Sequence, residues 1–149
     1  MRNIYLRKIP TNVDYNLPII SFSKQPEDVT IGSGTTANFV GVATVQYRNA
    51  TSSGSGSFTY QWYDFQTSAP VVAGSGVTIA GAATTEFSIT GLVNPTNDGN
   101  KYFLRATFVP TYTGQGGTPN ADPTYVDSTA AVVTINPFMT FVQQPTTST

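Results

Sequence analysis

Apolar positions in this chain recur at every second residue, not with the 3.6-residue period of a helix. "TANFV" (36–40), "FTYQWY" (58–63), "EFSIT" (86–90) and "YFLRATF" (102–108) all carry the alternation, which places one side of an extended strand inward and the other outward. The pattern predicts strands over 19–23, 29–31, 36–45, 58–65, 71–72, 77–79, 86–90, 101–109 and 128–136. Between them lie segments rich in Gly, Pro, Asn and Ser: "GSGTT", "RNATSSGSGS", "AGSG", "NPTNDGN" and "PTYTGQGGTPNADPTY". These residues favour turns because they tolerate positive φ or bond to their own backbone. No segment has the stripe of an amphipathic helix. Many short strands divided by turns imply an all-β fold, an antiparallel β-sandwich.

Composition narrows the function. The chain has 149 residues, enough to bury a core without staples. It contains no cysteine, which removes disulfides and thiolate metal sites, and no histidine. Charged residues make up 10%, against roughly 25% in ordinary soluble domains. The formal net charge of -1 supplies no field for a polyanion, so no nucleic-acid partner is expected. No run approaches the roughly 18 apolar residues of a membrane span. Arg2, Arg7 and Lys8 are three of the seven basic residues, but no signal-peptide apolar stretch follows them, and synthesis in a cytoplasm is expected.

Catalysis finds little material. Without His or Cys the usual neutral-pH bases and the thiol nucleophiles are missing. Among the eight acids only Glu27 and Asp28 are adjacent, and neighbours on an extended chain point to opposite sides. Asp64 and Asp98 are the acids whose replacement would test for a glycan-directed activity. No run resembles a calcium loop, and no cofactor or metal is expected. "NAT" (49–51) reads as loop composition rather than a glycosylation site, and "SSGSGS" (52–57) lacks the Lys of a phosphate-binding loop.

One spacing makes the sandwich more specific. "YQWY" sets Trp62 in the middle of an alternating strand, and forty residues on "NDGNKYFL" (97–104) places an acid, a glycine and Tyr102 before another strand. In these features, and in "FSITGL" (87–92), residues 18–136 resemble the immunoglobulin-like superfamily. The resemblance implies that Trp62 is buried between the sheets and that the Tyr102 hydroxyl folds back onto the backbone at a corner, with Asp98 as the acid preceding it. It also implies an inward set of Ala37, Phe39, Phe58, Tyr60, Trp62, Phe87, Ile89, Tyr102, Leu104, Ala106, Phe108, Ala131, Val133 and Ile135. Of these, Phe39, Tyr60, Trp62, Phe87, Ile89, Tyr102, Leu104 and Val133 are the expected structural core. Leu104 stands where antibody-type members have a cysteine, with Gly41 or Val42 opposite it, so the core is apolar throughout. Cysteine-free domains with "QP" after the first strand and "YQWY" on the third look like those of tailed-phage virion proteins and bacterial surface proteins.

Function then falls to the surface. Tyr63, Phe103 and Arg105 point outward from neighbouring strands and form a candidate aromatic patch, unless a neighbouring domain or the N-terminal arm covers it. The long loop 110–125 adds Tyr112 and Tyr125 as candidate contacts. Residues 1–17 form an arm in which Ile4, Tyr5, Leu6 and Arg7 are candidate anchors, with a disordered leader as the alternative. "PFMTFVQQPTTST" (137–149) repeats "PIISFSKQPEDVT" (18–30): Pro18, Phe22, Gln25, Pro26 and Thr30 recur as Pro137, Phe141, Gln144, Pro145 and Thr149. The segment is expected to be the first strand of a second repeat or a strand donated to a neighbour. Two function classes result. One is a non-enzymatic virion component (capsid decoration, tail or baseplate), held by other virion proteins through its arm and meeting a host-surface glycan or protein. The other is an adhesin or spacer module of a bacterial surface protein or carbohydrate-active enzyme. The corresponding locations are the virion or the bacterial cell surface, and a symmetric homo-oligomer is compatible with either.

Overall fold

The computed structural model describes residues 18–47, 55–111 and 124–138, and every regular element among them is a strand. In order these are β1 (Pro18–Lys24), β2 (Val29–Gly32), β3 (Thr36–Val40), β4 (Val42–Tyr47), β5 (Ser55–Asp64), β6 (Ala69–Pro70), β7 (Thr78–Ala80), β8 (Glu86–Thr90), β9 (Lys101–Thr111), β10 (Thr124–Asp127) and β11 (Ala131–Asn136). One layer runs β3-β8-β7, and β4 prolongs β3 and carries β1 antiparallel on its edge. The other runs β2-β11-β9-β5-β6, with β10 also on β9. Within the described residues β2 and β11 are the parallel pair. The first extended segment therefore changes layer between β1 and β2, at Gln25–Asp28. This is the strand order of an immunoglobulin-like sandwich.

Several boundaries differ from the alternation pattern. Residues 36–45, expected as one strand, are split at Gly41. A Cβ at position 41 would lie 2.8 Å from a Leu104 methyl and 3.4 Å from Pro26, so only glycine lets the facing layer come this close. Its N–H leaves the ladder and donates to Thr85 O at 2.9 Å. The expected strand 128–136 begins at Ala131, because Ser128 is drawn onto β9: its N–H donates to Leu104 O and its Oγ accepts the Leu104 N–H, both at 2.9 Å. Part of the expected loop 110–125 is strand instead, since β9 runs to Thr111 and β10 starts at Thr124. The predicted strand at 71–72 moves to Ala69–Pro70, because Val71 turns inward and donates its N–H to Trp62 O.

The core is built from rings. Phe39 packs against Trp62, Phe87 and Tyr102 with centroids 6.0, 5.9 and 5.7 Å apart, and Trp62 stacks on Phe87 at 5.4 Å. Ile89, Leu92, Leu104, Val133 and Ile135 are among the aliphatic residues packed around it. The single Trp is fully buried and still satisfies its indole N–H, which donates to Thr84 O at 2.9 Å. Its backbone N–H donates to Ala82 O at 2.8 Å. The turn that supplies both acceptors is tight: Gly81 sits at φ 72°, and a Cβ there would collide with the Glu86 carbonyl oxygen.

Two expected core features are corrected. Tyr60 is half-buried, packed at the margin of the core cluster and stacked on Phe58 with ring centroids 5.8 Å apart. Burial pushes the pKa of its hydroxyl up, against a smaller lowering from the nearby Ala43 backbone. Tyr102 is buried as expected, but its hydroxyl meets the Asn100 side-chain amide at 3.5 Å and not a backbone carbonyl. Burial raises its pKa as well.

Candidate functional site

The outward positions of β5, β9 and β10 form one face. Register sets Tyr63 beside Phe103, Gln61 beside Arg105, and Asp127 on the other side of Arg105. Alternation then extends the same face to Phe65 and Lys101 at one end and to Tyr125 at the other.

These side chains make a continuous stack. The Arg105 guanidinium lies between two rings, 4.9 Å from the centroid of Tyr63 and 4.3 Å from that of Tyr125. Tyr63 stacks on Phe103 with centroids 5.2 Å apart and planes 12° from parallel. Phe65 meets Phe103 edge-on at 6.4 Å, and Lys101 Nζ lies 5.8 Å over the Phe65 ring. Each cation–ring contact at such an exposed site is worth roughly 0.5–1 kcal/mol.

Asp127 fixes the cation in this row. Both of its carboxylate oxygens accept from Arg105, from Nε and from one terminal nitrogen, each at 2.7 Å. That fork holds the guanidinium planar between the rings and pushes the Arg105 pKa further above its ordinary value. The pair is neutral as a unit, so Arg105 acts as a rung of the stack and not as a free anion-binding group. Phe65 and Tyr125 remain 52% and 58% exposed at its ends.

Tyr63, Phe103, Arg105 and Tyr125, singled out from the sequence, thus come together on one sheet face. Tyr112 and the arm residues Ile4, Tyr5, Leu6 and Arg7 lie outside the described residues. Phe65, Lys101 and Asp127 were missed. The signal for each was present, since each is two residues from a recognised position on the same strand or at its end, and side chains two apart share a face.

The acids weighed for chemistry are engaged in structure. Asp64 Oδ1 accepts the N–H and hydroxyl of Thr67 at 2.9 and 3.1 Å, shaping the turn after β5. Asp98 Oδ1 accepts the Ile135 N–H at 2.7 Å. No group of three potential metal ligands occurs among the described residues, and no helix among them is long and apolar enough to cross a membrane. An open cleft of about 410 Å³ lies beside β6 and β7, walled by Val71, Val72, Val77, Leu92 and Tyr102. The polar groups at its rim, Asp64, Thr67 and Asn97, already bond within their own loops.

No family model matches the chain, and no curated protein matches it. Among solved structures it is similar to the N-terminal Ig1-2 module of the Drosophila receptor protein tyrosine phosphatase DLAR, with 16% identity and a TM-score of 0.44 over 80% of this chain and 50% of that one. It is similar also to a mutant form of the titin M10–obscurin-like 1 Ig complex, at 17% identity and TM-score 0.43 over 83% of this chain and 98% of the other. For Dpr1 IG1 bound to DIP-eta IG1 the values are 12% and 0.45, over 79% and 96%. The chain spans about half the length of the DLAR module. The assignment to an immunoglobulin-like sandwich rests on the strand order and the ring core described above.

Proposed function

We propose that this chain is a non-enzymatic interaction module whose partner docks on the β5–β9–β10 face. The observation that carries the reading is the prearranged row Tyr125–Arg105–Tyr63–Phe103–Phe65. Aromatic residues and arginine dominate protein-interface hot spots. Here they are locked by mutual stacking and by Asp127, so a partner finds the side chains already ordered and less entropy is lost on docking. Ring edges and a neutralised cation suit another protein surface better than a polyanion.

The setting proposed for this module is a phage particle, displayed on the capsid, tail or baseplate. The complete lack of cysteine, the low charge and the recurrence of 18–30 at 137–149 support it. Mass spectrometry of purified particles tests the setting. The expected result is peptides of this chain in fixed stoichiometry with the major particle proteins. Their absence from particles, with recovery in a bacterial envelope fraction, would move the module to a bacterial surface protein.

A further inference from the structure

The geometry points to the outer edge of β5, at 56–60, as the seat for the same strand of a second copy of this chain, paired antiparallel about a two-fold axis at Phe58. This stands independently of partner docking on the aromatic face. The direction of the backbone groups defines the seat. β5 pairs with β9 in unbroken register from Ser55 to Asp64. Trp62 donates its N–H to Ala82 O and accepts the Val71 N–H, so its backbone groups point away from β9. Every second residue of a strand points the same way, so Tyr60, Phe58 and Gly56 also turn N–H and C=O away from β9. β6 reaches only Tyr63 and Asp64. Among the described residues nothing pairs with the backbone of Tyr60, Phe58 and Gly56 on that side.

Nothing in the strand blunts this edge. Native sheets protect open edges with charge, proline, bulges or brevity. β6 has two residues and ends in Pro70, β7 has three residues, and β10 ends in Asp127. By contrast "SGSFTYQ" (55–61) carries no charge and no proline, and its register holds no bulge. An edge left this open is a template for another strand.

The strand that fits it is β5 itself. Turned about Phe58, Gly56 faces Tyr60 of the second copy and Phe58 faces its own counterpart, so every free N–H meets a free carbonyl. A slip that set Gly56 against Trp62 would meet groups already bonded, and the opposite slip would carry Tyr60 past Ser55, where β5 begins. On the outward face Ser57 lies beside Thr59 of the second copy, a hydroxyl pair that suits adjacent strands. On the inward face the Phe108 ring leaves no room for a Cβ at Gly56, and the glycine leaves space for the ring of the second copy's Tyr60. Both copies present the same patch, so the contact is isologous and closes at two. It joins the two β5–β9–β10 faces into one continuous sheet.

Cysteine cross-linking on the full chain tests the register, because the sequence has no cysteine of its own. Ser57 and Thr59 are exposed and fall between the hydrogen-bonded pairs, where facing Cα atoms approach to about 4.5 Å, within disulfide reach. Equimolar S57C and T59C chains, mixed and mildly oxidised, should give a covalent dimer linked 57–59, and either variant alone should stay largely unlinked. Sedimentation of the unmodified chain should give twice the monomer mass. S57K/T59K, which sets lysines against lysines, should give the monomer mass with an unchanged far-ultraviolet circular dichroism spectrum. Monomer mass for the unmodified chain, a dimer that survives the lysines, cross-linking no stronger in the mixture than in either variant alone, or 57–57 or 59–59 links as the main product would each overturn the proposal.

Discussion

At the scale of single residues, the fold turns on how Trp62 is satisfied. An indole buried without a partner for its N–H would forfeit much of what its burial contributes. Thr84 O supplies the partner, held there by the Gly81 turn. Trp62→Ala should cost on the order of 3–5 kcal/mol. Trp62→Phe keeps most of the apolar contact but strands the carbonyl, for about 1–3 kcal/mol. Urea unfolding followed by far-ultraviolet circular dichroism measures both, and the ordering Ala worse than Phe is the expected result. The position of Trp62 was legible from the alternation of "YQWY". Its acceptor was not, because "GAATT" reads only as a turn, and nothing local says that the turn crosses to the other layer.

At the scale of elements, β11 and the residues before it are held in place by side chains that reach backbone from neighbouring loops. β11 pairs with β9 only at Ala131 and Val132, so farther along it the backbone groups facing β9 need other partners. Asp98 Oδ1 accepts the Ile135 N–H, and Asn94 Nδ2 donates to Ile135 O, both at 2.7 Å. Asp28 accepts the Val132 N–H at 2.8 Å, and Gln25 takes Thr129. Asp98→Ala leaves the Ile135 N–H without its partner and should lower stability by about 1–3 kcal/mol. It should also speed amide hydrogen exchange at Ile135 ahead of the rest of β11, measured by NMR. An acid before Tyr102 was legible by resemblance. Its role was not, since the partner lies 37 residues away and becomes a neighbour only once the layers close. The splits at Gly41 and before Ala131 escaped the pattern for the same reason: a period-two reading counts faces, and both breaks come from contacts with the opposite layer or a neighbouring strand.

For the whole molecule, the two faces differ. The β3–β8–β7 layer turns Asn38, Ser88 and Glu86 outward, while the β5–β9–β10 face presents the aromatic row. Four of that row's five members could be read from the sequence, Tyr63, Phe103 and Arg105 as outward positions on adjacent strands that share a face and Tyr125 as a loop tyrosine. The pairing of Asp127 with Arg105 required knowing that β10 lies against β9, inside a segment composed like a loop. The central claim is that the aromatic face is where partners dock. Site-specific photo-crosslinking in native assemblies tests it most directly, with the photoreactive residue placed at Phe103 in one variant and at Ser88 on the opposite layer in another. Adducts to a defined partner from position 103 and none from 88 are predicted. Adducts from 88 alone, or none from either with the chain still in the assembly, would contradict it.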